Sequence, residues 1–200
     1  MGKKLEESDF VRASKKLGCE VNVIKAVSKV EGNGSGFTSS DKPKTLFEGH
    51  VFWKELVAKG IDPNKLLAKN PSLSNILYKK WTKRFYGKSE ADEEKRLNKA
   101  MAVNRECALR SASWGMFQIL GCNHKLVGFK TLQEFINAMY KSEGNHLDAF
   151  ISFVIKRGLD DELRDKRFAD FALGYNGSGY AINSYDEKIR VAYKKFAGIK

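Results

Sequence analysis

Val21-Asn22-Val23-Ile24-Lys25-Ala26-Val27-Ser28-Lys29-Val30-Glu31-Gly32-Asn33-Gly34-Ser35-Gly36-Phe37 runs from an apolar helical face into a glycine-rich break, with one carboxylate at the junction. Val23, Ile24, Val27 and Val30 recur at i, i+1, i+4 and i+7, the spacing of one helix face over about residues 20–30. Gly32, Gly34 and Gly36 then end the helix abruptly. Glu31 therefore falls in the last helical turn, where the partial negative charge of the helix end disfavours an ionised carboxylate. Partial burial on the Val27/Val30 side pushes the same way. A carboxylic acid that keeps its proton near neutral pH can donate it to a leaving oxygen. Taken alone, a glutamate at a helix end also reads as a solvated surface residue.

Outward from this stretch the periodicity stays helical. Asp62-Pro63 is a helix entry with a capping side chain and proline in the first turn. Ser89-Glu90-Ala91-Asp92 resembles a capping box and opens a charged helix to about residue 110. Thr131-Leu132-Gln133-Glu134 is a second box, leading into Phe135, Ile136, Met139 and Tyr140. Leu147, Phe150, Ile151, Val154 and Ile155 mark the next helix, stopped at Gly158, and a last one carries Ile189, Tyr193 and Phe196. Strand signals are confined to residues 37–47, which predicts a short ribbon. The expected fold is mainly α (α+β), one helical domain over residues 1–200 with a small β ribbon directly after Glu31.

The chain has 200 residues, enough for one domain with a proper core, and 42% hydrophobic against 30% charged residues is a globular balance. The net charge of +12 implies attraction to an anionic partner: nucleic acid, a phospholipid surface or an anionic cell-wall polymer. The basic residues are spread along the chain, without a block that reads as a nucleic-acid tail. Cys19, Cys107 and Cys122 form no CxxC pair, which predicts free thiols and synthesis in a reducing cytosol. Met1-Gly2-Lys3-Lys4-Leu5-Glu6-Glu7 turns acidic before any apolar stretch, unlike a signal peptide, and no run approaches the ~20 apolar residues of a membrane span.

Two further segments interrupt the helical pattern. In Ser113-Trp114-Gly115-Met116-Phe117-Gln118-Ile119-Leu120-Gly121, a glycine beside tryptophan permits close backbone approach, and Gln118 is a lone amide in an apolar run. A core helix with one satisfied glutamine fits the same residues. In Ala172-Leu173-Gly174-Tyr175-Asn176-Gly177-Ser178-Gly179-Tyr180, aromatic faces and an amide could meet a sugar, although the segment also reads as a helix-ending turn.

Together and in this order, the three segments resemble the lysozyme-like superfamily of goose-type lysozymes and lytic transglycosylases. The closer resemblance is to the N-acetylmuramidase domain of phage endolysins, carried by Val30-Glu31 through Phe37, Leu46-Phe47-Glu48-Gly49-His50, Ser113 through Ile119 and Tyr175 through Tyr180. Gly32 stands where that family often has serine, and Gly49 where it often has arginine. The similarity spans about residues 10–196 and implies that no separate wall-binding module is present.

The resemblance implies a glycoside hydrolase cutting peptidoglycan between N-acetylmuramic acid and N-acetylglucosamine. Glu31 would be its catalytic acid, with Glu48 as a supporting or water-orienting carboxylate, or else a residue that locks His50. His50, Gly115, Phe117, Gln118, Tyr175, Asn176 and Tyr180 would bind the sugar. No cofactor is implied, and His50, His124 and His146 lack metal-ligand spacing. The expected protein is a monomer on a glycan strand, without stable membrane insertion or nucleic-acid binding, released from the host cytoplasm to act on the wall in the periplasm. Two alternatives remain open: a lytic transglycosylase forming 1,6-anhydro products, and, in another class, a basic nucleic-acid-binding protein.

Overall fold

The computed structural model describes residues 3–32 and 34–199; Met1 and Gly2 of the stretch read for export, Asn33 of the glycine loop, and Lys200 lie outside the described residues. Helix α1 (Glu7–Leu17) precedes α2 (Val21–Glu31), and both bury a stripe: Ala13 and Leu17 in one, Val23, Ile24, Ala26 and Val27 in the other. The apolar spacing of residues 20–30 thus becomes a helix that ends on Glu31. Helix α1 was not anticipated: its apolar residues Phe10, Ala13 and Leu17 are diluted by charge, and Gly18 at φ 69° closes it.

After the glycine loop, a bridge joins Phe37 to Pro43, and β1 (Thr45–Phe47) follows. The partner of β1 comes from far along the chain. Strand β2 (Ala112–Trp114) pairs with it antiparallel, Leu46 opposite Ser113, and β3 (Ile119–Leu120) pairs with β2, Trp114 opposite Ile119. The core-helix alternative for the Trp114 segment is thereby corrected. Gly115 at φ 71° and Gln118 at φ 51° turn the chain back on itself, and an L-residue helix admits neither value.

Between β1 and β2 lie α3 (Gly49–Ala58), α4 (Pro63–Lys69), α5 (Glu90–Val103) and α6 (Arg105–Arg110). Asp62 caps α4 by accepting from Asn64 N–H. Ser89 caps α5 through the Asp92 N–H, but its hydroxyl donates to the Asp92 carboxylate, so the reciprocal half of the box is absent. The charged helix expected to reach residue 110 breaks at Asn104. That residue leaves helical φ/ψ, and its side chain accepts from Cys107 N–H to start α6.

Helix α7 (Leu132–Lys141) opens with the complete Thr131/Glu134 capping box and leads into α8 (Glu143–Lys156). Helix α8 is buried on nearly every side, through Glu143, Gly144, His146, Leu147, Ala149, Phe150, Ile151 and Val154. Such a helix must sit at the centre of a bundle. Phe150 meets Phe117, Phe171 and Tyr175, with centroids 4.5, 6.4 and 5.2 Å away. Removing a core ring of this kind costs about 3–5 kcal/mol. Helices α9 (Asp160–Arg164), α10 (Phe168–Asn176) and α11 (Tyr185–Ala197) complete the chain, and α11 packs along α2 through the fully buried Ile189. The three cysteines are free. No described helix is long and apolar enough to cross a membrane.

Candidate functional site

Helices α2 and α10 end on the same spot. Glu31 is the last residue of α2, Asn176 the last of α10, and the Asn176 amide donates to Glu31 Oε1 at 3.0 Å. Burial raises the pKa of Glu31, and the Asn176 hydrogen bond opposes this as the smaller effect. Two helix C-termini converging on one carboxyl group also favour its neutral form. Beside it, Tyr175 is packed among Phe150, Phe153 and Phe171 and donates its hydroxyl to the Phe117 carbonyl at 2.9 Å. Burial, and then the charge of Glu31, push the Tyr175 hydroxyl well above its ordinary pKa, so it stays a donor.

The loop after Glu31 is fastened from below by α8. The buried Glu143 carboxylate accepts from Gly36 N–H at 2.7 Å and Ser35 Oγ at 3.3 Å through one oxygen, and from Leu5 N–H at 3.1 Å through the other. His146 sits one turn on. Its Nδ1 accepts from Met116 N–H at 3.1 Å while Nε2 donates to the Met139 carbonyl at 2.7 Å, which defines the neutral tautomer. Burial lowers its pKa in the same sense. A Cβ on Gly36 would lie 2.4 Å from this ring, and one on Gly115 would lie 2.8 Å from it. Both glycines are therefore required for the Glu31 loop and the Gln118 turn to close on one imidazole. The Gly32 departure has a counterpart here, since the Met116 side chain fills the place a Cβ there would take.

Above these elements runs a groove of about 1140 Å³. Glu31 and Ser35 line it together with residues 38–40, 42–44 and 87–90 and with Trp114, Gly115, Gln118 and Tyr140. Its ionisable lining is balanced: Glu31, Glu90, Glu93 and Glu94 against Lys42, Lys44, Lys88 and Arg105. Three of the four carboxylates are engaged, Glu93 with Arg96 at 2.7 Å, Glu90 with Lys44 at 3.8 Å and Glu94 with Lys42. Glu31 faces the groove, and among the described residues only the neutral Asn176 amide hydrogen-bonds to it. Tyr140 is 45% exposed on this wall, a ring face open to a sugar that sequence reasoning had read only as helix periodicity. Glu143 and His146 were also missed as site residues; a Glu-x-x-His turn opening an otherwise apolar helix was their signal.

Of the other expected residues, Gly115 and Gln118 line the groove. Gln118 is exposed rather than buried, which corrects the reading of a buried amide; it donates to the Gly115 carbonyl at 2.8 Å. Phe117 is a core ring on Phe150, so only its backbone serves the site. Tyr180 is half-buried in the 3-10 turn after Gly177 and does not line the groove.

Glu48 and His50 also stand outside the groove lining. Glu48 is the N-cap residue of α3 and accepts the Tyr86 hydroxyl at 2.8 Å. His50 Nδ1 is 3.3 Å from Glu48 Oε2, and both atoms are buried without a hydrogen bond. Burial lowers the His50 pKa, and Glu48 partly offsets this. The Gly49 departure is steric: a Cβ there would lie 2.4 Å from the Tyr78 ring, whose hydroxyl accepts from Gly49 N–H at 3.2 Å. Among the described residues no three His, Cys, Asp or Glu side chains gather as a metal site.

A half-buried acid facing a charge-balanced groove is what a glycosidase requires, and known proteins agree. The N-acetylmuramidase family matches residues 20–197. The crystal structure of Burkholderia AP3 phage endolysin superposes with a TM-score of 0.89 at 34% identity, covering 98% of this chain and 73% of that one. No curated protein matches. The chain belongs to the N-acetylmuramidase family and is a peptidoglycan-degrading glycoside hydrolase.

Proposed function

We propose that the chain, acting as a single catalytic domain, cuts the β-1,4 bond from N-acetylmuramic acid to N-acetylglucosamine with Glu31 as general acid. The supporting observation is the raised pKa of a half-buried Glu31 on the wall of the groove, with one neutral amide as partner. A glycan strand lies along the groove, and Glu31 protonates the glycosidic oxygen as the sugar becomes oxocarbenium-like. Asn176 orients the carboxyl group. Gln118 and the Gly115 backbone face the sugar, and Tyr140 offers its ring. Tyr175 and Phe117 act behind them, joining the end of α10 to the Gln118 turn. Glu48 positions the Tyr86 loop rather than touching sugar, and His50 packs beside it.

Water then attacks the sugar, steered by Glu31 once it has given up its proton. Because Glu90, Glu93 and Glu94 are held in ion pairs, attack by the muramic 6-hydroxyl, giving a 1,6-anhydro product, is the second reading. Mass spectrometry of digested peptidoglycan tests both: hydrolysis adds the mass of one water per cut, and anhydro products would replace the first reading by the second. In this reading the protein is made in a host cytoplasm and reaches the wall in the periplasm after release.

A further inference from the structure

We propose that the basic, aromatic loop of residues 78–88, whose Gly87–Lys88 end lines the groove, binds the acidic stem peptides hanging from the glycan strand. The proposal rests on the groove being the glycan site and names what lies beside it. The groove carries four carboxylates against four cations, a lining suited to a sugar backbone without net charge. A concentrated part of the protein's excess positive charge lies next to it. Between Pro63 and Ser89 the chain has seven basic residues and no acidic one, against a net charge of +12 for the whole protein.

Lys79, Lys80, Lys83, Arg84 and Lys88 are exposed, and none makes an ion pair among the described residues. Elsewhere many cations sit on carboxylates, as Lys42 does on Glu94, Lys59 on Glu106 and Lys166 on Glu20; here, among the described residues, five neighbouring ones have none. Trp81 stands 58% exposed among the free cations, with Lys83 Nζ 5.8 Å from its ring centre. Lys79 Nζ lies 5.2 Å from the Trp53 ring, which limits its sweep.

Position supplies the second argument. The loop runs through Gly87 and Lys88 into the groove lining and is anchored there, by Tyr86 on Glu48 at 2.8 Å and by Gly87 N–H on Glu93. A strand lying in the groove therefore brings its side peptides alongside the free cations. Those peptides end in carboxylates, while their glycan is held by neutral contacts. Each exposed pair is weak and screened by salt, so the effect is collective.

The test measures KM and kcat on solubilised glycan strands bearing native stems and on strands whose stem carboxylates have been amidated. The enzymes compared are wild type, the fourfold variant K79Q/K80Q/K83Q/R84Q, the milder reversal K80E/K83E, and K194Q/K195Q on α11 as control. The expected result is about a tenfold rise in KM on native stems for both loop variants, with unchanged kcat. On amidated stems all four proteins should agree, and molar salt should erase the difference on native stems. An equal KM rise on both substrates, or none on either, overturns the proposal. So does a loss of cosedimentation with anionic phospholipid vesicles while both KM values stay at the wild-type level, which would assign the loop to a lipid surface. Failure of wild type to cut either strand would instead overturn the glycosidase reading beneath it.

Discussion

Glu31 and Glu48 are both half-buried glutamates at helix ends, 17 positions apart in the chain, yet their surroundings oppose each other. Glu31 closes α2, at the end where unsatisfied carbonyls make negative charge unfavourable. It faces the groove and receives one neutral amide. Glu48 precedes α3, at the opposite kind of helix end, and makes no capping hydrogen bond to it. It turns away from the groove toward the Tyr86 hydroxyl and the His50 ring. The lesson is that a carboxylate's role follows from which helix end holds it and what that end faces. Residue type and neighbouring motif are common to both.

The contrast can be broken most directly by Glu31→Ala. Turbidity loss of outer-membrane-permeabilised cells should slow at least about a hundredfold, as removal of a general acid does, while circular dichroism stays that of the folded protein. Unchanged lysis would end the assignment. Asn176→Ala sharpens the comparison with an expected loss of about tenfold in kcat from lost orientation. It also moves the pH profile. The Asn176 bond lowers the Glu31 pKa, so removing it raises that pKa. Activity needs the protonated acid and falls as pH rises through its pKa, so the alkaline limb should shift to higher pH; a shift to lower pH would contradict the wiring.

Glu48→Gln should keep kcat within about threefold, because the amide oxygen can still accept from Tyr86, whereas a hundredfold loss would return Glu48 to the chemistry. Glu48→Ala leaves the Tyr86 hydroxyl without its acceptor, a cost of about 1–3 kcal/mol readable by urea denaturation. The smallest expected effect concerns stability at the catalytic position. An acid with a raised folded pKa supports folding below its unfolded value, and that support is lost as pH climbs through the folded value. Glu31→Gln should therefore raise Tm at pH 7 by on the order of 2 °C and leave it unchanged at pH 4. An equal Tm at both pH values would mean that Glu31 titrates like a surface carboxylate.

The local sequence was sufficient for whatever one helical turn decides. The spacing of Val23, Ile24, Val27 and Val30 makes an amphipathic helix wherever it is placed, and Gly32 and Gly34 stop it on Glu31. Thr131 with Glu134 and Asp62 with Pro63 start helices by hydrogen bonds that reach only a few residues along the chain. Tertiary structure decided everything that required two distant segments to meet. The partner of β1 lies past residue 110, and the Gln118 turn needs an imidazole from α8. Asn176 reaches Glu31 across 145 positions, and Glu48 loses its place in the groove because β1 ends at Phe47 and the chain turns into α3, which takes the carboxylate to the Tyr86 hydroxyl. Periodicity reports which face of an element is buried but carries no term for which other element buries it. A raised carboxyl pKa depends on that second fact, since desolvation comes from packing rather than from neighbours in sequence.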